Sequence, residues 1–411
     1  MFTRLKQLTR FMVLELFTVL KNTENPANRA NSVNSVNFFI FTLFATLFFV
    51  SSSEARVIGP CYNCHTMHNS QNGQPVNRGD SAWGEANVSD NPIPNLLVAS
   101  CLGCHSSSDG QTIKTLPGGL KVPIVFNTNG YPAGALAGGN FYWVSPGVAS
   151  NENDAKGHNV FSGNPDNNLN EAPGDPRSGS CGGSTACHKN LHSSTPSNSF
   201  GFESSRQGCT KCHMIGSALP KGYHHLNSAD AVKGSASDGW FRFLSGHQAG
   251  SGHGVSGIED NDWQYTSSSN DHNEYLGYSG NKTADGGFSA LADTVTAFCT
   301  GCHAVFHSER NSADNVWIRH PSDSIIPDSG EFANAFNGGY DPLVPVARPN
   351  LSGWAGPVGS VTLGSGGDLV MCLSCHRAHG SPYSKLMRWD YKGWPGNGQT
   401  NGCNVCHTAK N

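Results

Sequence analysis

The chain has 411 residues, of which 14% are charged, and a formal net charge of −4. Such an acidic balance offers nucleic acid no electrostatic footprint, so nucleic-acid binding is excluded as a role. It also carries 14 cysteines and 18 histidines, and their spacing narrows the chemistry further than any other feature.

The first predicted element from the amino terminus is an export signal. Phe38–Val50 is an uninterrupted apolar run. It has the length of a signal-peptide hydrophobic region and is too short to cross about 30 Å of hydrocarbon. Ser53, Glu54 and Ala55 follow with small residues at a cleavage site. Residues 1–55 are read as a signal peptide with a long n-region, consistent with a start downstream of Met1. Residues 56–411 are read as one secreted domain without a membrane span. It retains 21 basic and 27 acidic residues.

The cysteines form seven close pairs, each followed at once by histidine. Six read C-x-x-C-H: Cys61/Cys64/His65, Cys101/Cys104/His105, Cys209/Cys212/His213, Cys299/Cys302/His303, Cys372/Cys375/His376 and Cys403/Cys406/His407. The seventh, Cys181/Cys187/His188, has five residues between its cysteines. C-x-x-C-H is the attachment signature of c-type haem, in which two thiols bond the porphyrin vinyl groups and the imidazole takes one axial position on iron. Zinc would need two such halves gathered into a tetrahedron, which leaves the repeated histidine unexplained. A disulfide framework leaves it unexplained too. At Cys181/Cys187 a local disulfide remains an alternative.

Seven covalently bound haems in about 356 residues leave about fifty residues each, too few for a separate apolar core per haem. The expected fold is therefore a multihaem cytochrome c, mostly coil, with short helices, few strands, low regular secondary structure and a haem-centred core. The sites begin 40, 80, 28, 90, 73 and 31 residues apart, so there is no repeat period. Three elements are predicted between them. Phe141–Val144, bounded by Gly138, Gly139 and Pro146, reads as a short strand. A weak helix is read from about Asp230 to Leu244. Phe288, Leu291, Val295 and Phe298 mark an amphipathic helix leading into Cys299.

Seven irons need sixth ligands, and eleven histidines are not committed to an attachment motif. Methionine is the other common distal ligand, but Met67, Met214 and Met371 crowd their own attachment sites, so bis-histidine ligation is expected. His68, His192, His307 and His379 stand three or four residues after a proximal histidine. At a helical offset they share its face and cannot reach the far side of the same iron, so each must serve another haem. His158 and His320 are further distal candidates in polar loops, and one of His224 and His225 supplies another. His247, His253 and His272 are reserves.

Several segments carry a family resemblance: CYNCHTMHNSQNG near Cys61, GGNFYWV followed by KGHNV, FCTGCHAVFHSER, WIRHPSD, CLSCHRAHGS and the terminal CNVCHTAKN. In this order they resemble the extracellular cytochrome filaments, or nanowires, of metal-respiring bacteria, over about Cys61–Val160 and Phe298 to the end. The resemblance implies stacked bis-histidine haems in a homopolymer whose subunits join through a donated distal histidine, matching His68 here. The middle section departs from the family's six-haem pattern.

The expected function is extracellular electron transport, with haem inserted in the periplasm, delivery to external acceptors and other cytochromes as redox partners. A monomeric periplasmic or surface carrier is the first alternative. A reductase with one open haem is the second, with Cys181/Cys187 as its only candidate position. Since every iron is expected to be six-coordinate, the chain is read as an electron-transfer protein rather than an enzyme, and no catalytic residue is assigned.

Overall fold

The structure is a computed structural model. It describes residues 70–71, 74–75, 101–115, 121–150, 152–161, 191, 208–213, 240–244, 254–278, 293–303, 320–337, 339–351, 356–392, 394–395 and 400–410.

Regular structure among these residues is short, as a chain with 49 glycines and 22 prolines dictates. Strands β1 (Ser70–Gln71) and β2 (Gln74–Pro75) form an antiparallel pair. Strand β3 (Ser106–Ser107) lies parallel to β6 (Phe126–Asn127), and β4 (Ile113–Thr115) lies antiparallel to β5 (Lys121–Pro123). One larger sheet has the order β7 (Gly257–Ile258), β8 (Glu274–Leu276), β10 (Ala347–Arg348), β11 (Leu369–Val370), β9 (Ser324–Ile325). Only its β8–β10 pair is parallel.

Four α-helices are described, and each carries attachment cysteines. Helices α1 (Leu102–His105), α3 (Cys372–Cys375) and α4 (Cys403–Cys406) are single turns, while α2 (Val295–His303) has nine residues. Thr294 starts α2: its hydroxyl accepts the Ala297 N–H at 3.0 Å and donates to Asp323 at 2.9 Å, satisfying a first-turn amide. The helix predicted to lead into Cys299 is thus present from Val295 onward and continues to His303. Phe288 and Leu291 lie outside the described residues.

Two sequence readings are corrected. Phe141–Val144 is a 3-10 turn rather than a strand. Gly139 enters it at φ +83°, and the Asn140 side chain accepts the Tyr142 N–H at 3.1 Å; both bend the chain before any extended pairing starts. The described end of the predicted Asp230–Leu244 helix is a 3-10 turn at Phe241–Phe243. Trp240, Arg242 and Phe243 all have positive φ there, which no α-helix tolerates. The remainder of that prediction lies outside the described residues.

Three small apolar clusters hold these pieces together. One joins Phe241, Val255, Tyr275, Val295, Ala347, Leu369 and Met371, with Cys299 and Cys372 packed on its side. A second gathers Ile326, Ala335, Phe336, Tyr340, Val344, Val346 and Trp389 beside Cys375, Cys403 and Cys406. The third is Leu102, Phe126, Phe141, Val144 and Phe161. Full burial of a side chain such as Leu369 contributes about 2 kcal/mol, so each cluster supplies only part of a domain's stability, and cysteines border two of the three.

Candidate haem attachment sites and axial histidines

The five described attachment sites share one local device. In each, the histidine N–H closes a helical turn onto the carbonyl of the first cysteine: His105 to Cys101 at 3.1 Å, His213 to Cys209 at 2.9 Å, His376 to Cys372 at 3.1 Å, His407 to Cys403 at 2.8 Å, and His303 to Cys299 inside α2. Positions i, i+3 and i+4 of a turn share one face, so two-residue spacing brings both thiols and the imidazole to the same side. Side chains help to hold the turns. Ser374 accepts the Met371 N–H at 3.0 Å, and Asn401 accepts the Cys403 N–H at 2.9 Å.

None of Cys101, Cys209, Cys212, Cys299, Cys302, Cys372, Cys375, Cys403 and Cys406 takes part in a disulfide, which argues against the disulfide reading at these positions. Cys104 is the exception within these five sites: its backbone lies in α1, but its side chain lies outside the described part of the structure. Its predicted role as the second attachment thiol of the Cys101 site therefore stands as a proposal. Among the described residues, no three His, Cys, Asp or Glu side chains gather as a single-metal site would require. The sulfurs instead meet those of the next site. The Cys209 and Cys101 thiols share a hydrogen bond, as do Cys299 and Cys372, and Cys299 also interacts electrostatically with Cys212. Cys375 faces Cys403 and Cys406. Burial pushes Cys212 up to about 11, and Cys375 and Cys406 up to about 12, so these groups stand together as neutral thiols.

An imidazole nitrogen bonds a transition metal at about 2 Å, and its ring centroid lies about 1 Å beyond. Two imidazoles on opposite sides of one iron therefore have centroids about 6 Å apart. Three histidine pairs have this separation. His158 and His303 are 6.0 Å apart, His213 and His379 5.8 Å, and His320 and His407 6.3 Å. Each pair combines one motif histidine with one histidine from elsewhere in the chain.

The ring nitrogens are oriented accordingly. Nδ1–H donates to a backbone carbonyl in His105 (Pro123, 2.8 Å), His158 (Ala378, 2.7 Å), His213 (Arg242, 2.8 Å), His320 (Pro321, 2.9 Å) and His376 (Lys385, 2.7 Å). This fixes the tautomer and leaves Nε2 with its lone pair, the usual outer-shell arrangement of a metal-ligating histidine. Burial holds His105, His158 and His213 below the ordinary histidine range, and partial desolvation together with His407 lowers the exposed His320. Burial takes His379, which also faces His213, to about 3. All five are therefore neutral, the form that binds iron. His407 differs: its Nδ1 lies 3.4 Å from Glu331 Oε2. The donor set fits c-type haem, with thiols and an imidazole on one turn and a second imidazole about 6 Å away.

Comparison with known proteins agrees with this chemistry. Residues 365–411 match the family model described as a doubled CXXCH motif, which spans the last two attachment sites. The chain is 24% identical to the C-type cytochrome OmcS of Geobacter sulfurreducens over a 389-residue alignment that covers 81% of this chain and 79% of the relative. The chain is thus similar to a c-type cytochrome along about four fifths of its length. Among solved structures, it is similar to the Outer Membrane Cytochrome S filament of G. sulfurreducens (21% identity, 82% and 84% of the two chains, TM-score 0.42). It is also similar to a cryo-EM structure of the OmcS nanowires (19%, 80% and 83%, 0.40).

The structure bears unevenly on the sequence-predicted ligands. Cys61, Cys64, His65, His68, Cys181, Cys187, His188, His192, His224, His225, His247, His253 and His307 lie outside the described residues. His272, a reserve, is corrected to a core residue. Its Nδ1 bonds Ser268 O at 3.1 Å, its Nε2 bonds Glu274 at 3.2 Å, and its ring stacks on Tyr340 at 3.5 Å, so no nitrogen is left for iron. The helical-offset argument for His379 is also corrected. Helix α3 stops at Cys375 and His376 is extended, so the segment leaves the attachment turn before His379.

Sequence reasoning missed what holds His379. The His379 N–H donates to Gly138 O at 2.7 Å, Asn140 N–H to Gly380 O at 3.0 Å, and Ser381 N–H to Lys156 O at 2.9 Å. A Cβ on Gly138 would touch the His379 ring at 3.0 Å, and one on Gly139 would collide with Gly380 O. The signal was visible: GGN, KGH and HGS each place glycine where backbones approach closely.

Proposed function

We propose that this cytochrome conducts electrons outside the cell through seven bis-histidine c-type haems in one continuous row, as a homopolymer delivering electrons to external acceptors. The haem, when bound, supplies an iron that alternates between ferric and ferrous states. The protein's part is attachment, ligation and spacing. In this reading the fourteen cysteines, Cys104 among them, hold the porphyrins, and His65, His105, His188, His213, His303, His376 and His407 are proximal. His379 completes the Cys209/Cys212 site, His158 the Cys299/Cys302 site and His320 the Cys403/Cys406 site. His68 extends the row into a neighbouring subunit.

The observation that carries this reading is the contiguity of the attachment sites. Their thiols are hydrogen-bonded in the pairs Cys101 with Cys209 and Cys299 with Cys372, and weaker electrostatic interactions link Cys212 to Cys299 and Cys375 to Cys403 and Cys406. Porphyrins bonded to adjoining sulfurs have their edges close together, which is what conduction requires. The similarity to OmcS, whose solved assembly is called a nanowire, supports the polymer. With two imidazoles per iron no position is open to a small substrate, so electron transfer is favoured over catalysis.

Three measurements on the purified mature protein test this. Its mass should show seven haems; six would return Cys181 and Cys187 to a disulfide. Its ferric EPR spectrum should be wholly low-spin, because a high-spin signal would move the reading toward a reductase. Electron micrographs should show filaments that His68→Ala abolishes. Monodisperse particles unaffected by that change would leave a monomeric carrier.

A further inference from the structure

Buried charges are paired in folded proteins because an isolated ion loses its hydration without compensation. Arg348 follows this rule: its guanidinium bonds Glu274 Oε2 at 2.8 Å and also pairs with Asp368. Arg377 and Arg388 do not. Arg388 is only 8% exposed, yet among the described residues neither side chain has a carboxylate partner. Every hydrogen bond they make ends on a backbone carbonyl. Arg388 Nε donates to Leu343 O at 2.8 Å, Nη2 to Pro342 O at 3.1 Å and Nη1 to Ala137 O at 3.4 Å. Arg377 Nη1 donates to Leu136 O at 2.6 Å and Ala135 O at 3.5 Å.

The two guanidinium groups thus converge on one stretch, Ala135 to Ala137, and they repel one another there. Tyr131 and Tyr383 adjoin Arg377, and Tyr275 and Tyr340 adjoin Arg388, but neutral phenols cancel no charge. A guanidinium carries five N–H donors, and Nε and Nη2 of Arg377 are unused by the bonds above. Both arginines are also fixed to the Cys372–His376 turn. Arg377 follows His376, its N–H donating to Leu386 O, while the Arg388 N–H donates to Cys375 O, each at 2.8 Å.

We propose that Arg377 and Arg388 form a carboxylate seat that receives a propionate of the haem attached at Cys372 and Cys375. The proposal rests on the haem reading above. A propionate is the anion such a site would carry with it, tethered through the same ring whose thioethers lie at this turn, and its two oxygens suit the guanidinium fork. Two arginines against one carboxylate leave excess positive charge near that iron. This favours ferrous over ferric and sets its potential above that of an otherwise equivalent bis-histidine haem.

The test uses the mature, haem-loaded protein with Arg377→Met, Arg388→Met and Arg388→Lys. Mass and Soret absorbance report haem content, and a potentiometric titration reports the potentials. In each Met variant, full haem content with a single component shifted to lower potential is expected, and Arg388→Lys, which keeps the charge, should shift less. Full haem content with titration curves unchanged in both Met variants would overturn the proposal. Absence of haem at this site in the wild type would instead refute the haem reading. Should the Met variants fail to mature, wild type and Arg388→Lys are compared by redox difference infrared spectroscopy with haem labelled at the propionate carboxyls. A label-sensitive carboxylate band that moves between them supports the seat; labelled bands identical in both overturn it.

Discussion

The imidazole of His320 stands 6.3 Å from that of His407, centroid to centroid, with the ring planes at 79°. One belongs to a polar loop and the other to the last attachment turn. His320 donates Nδ1–H to Pro321 O, so its Nε2 lone pair is available, and the separation matches two nitrogens about 2 Å from one iron. Replacing His320 with methionine exchanges an imidazole for a softer thioether, which favours ferrous iron. One of the haem potentials should rise on titration of the mature His320→Met protein while the others hold. A superimposable titration curve would remove His320 from the ligand set.

His272 gives the opposite expectation although nothing in the sequence distinguishes it. It is 1% exposed, both nitrogens are bonded, and it lies flat against Tyr340 at 8°. His272→Ala removes a packed ring and leaves Glu274 short of a partner, a loss of about 2–4 kcal/mol. Denaturation followed by tryptophan emission should show this loss, while haem content and the low-spin EPR signals stay as in the wild type. A new high-spin component would put His272 on an iron.

What the sequence could reveal was set by how local each signal is. Two-residue spacing between cysteines and the adjoining histidine is a one-turn device, and the turn is found at all five described sites. The coil-rich, short-element fold follows from composition and is also found. Phe141–Val144 was misread because four apolar residues carry too little period to separate a strand from a 3-10 turn, and the deciding features are Gly139 and Asn140 just outside them. His379 was sensed as a ligand for another haem, but by a helical argument that fails at Cys375. The pairing of His158 with His303, the packing of His272 against Tyr340 and the convergence of Arg377 and Arg388 on the Ala135–Ala137 carbonyls depend on contacts between segments far apart in the chain, which no local pattern encodes.

Gly139 links backbone geometry to the site. Its φ is +83°, and a Cβ there would run into the Gly380 carbonyl, next to His379. Gly147 has φ +82° and open space around its Cβ position. Gly147→Ala should therefore cost only the conformational penalty, about 1 kcal/mol. Gly139→Ala should cost more and push His379 away from His213, giving a high-spin fraction in the ferric EPR spectrum that Gly147→Ala lacks. Matching spectra for the two variants would mean that the Gly139 contact does not position His379.

Arg348 is 1% exposed and holds two buried carboxylates. Burial alone would raise Glu274, but the bonds from His272 and Arg348 outweigh it and hold this carboxyl below its ordinary value. A depressed folded pKa stabilises above the unfolded value of about 4.3, and the contribution is lost as pH falls. Burial leaves Asp368 above its ordinary value despite Arg348, so its contribution runs the other way. Arg348→Met leaves Glu274 to His272 and the Val358 N–H and Asp368 to the Thr362 N–H, a loss of about 3–5 kcal/mol at neutral pH. Asp368 then stands further above its unfolded value and Glu274 is depressed less, so both carboxyls favour the folded state more when protonated than they do in the wild type. Denaturant titrations between about pH 4 and 6 should show the stability deficit of the variant narrowing on acidification, as Glu274 and Asp368 become protonated. Parallel pH slopes for the two proteins would show that Arg348 does not govern these carboxylates.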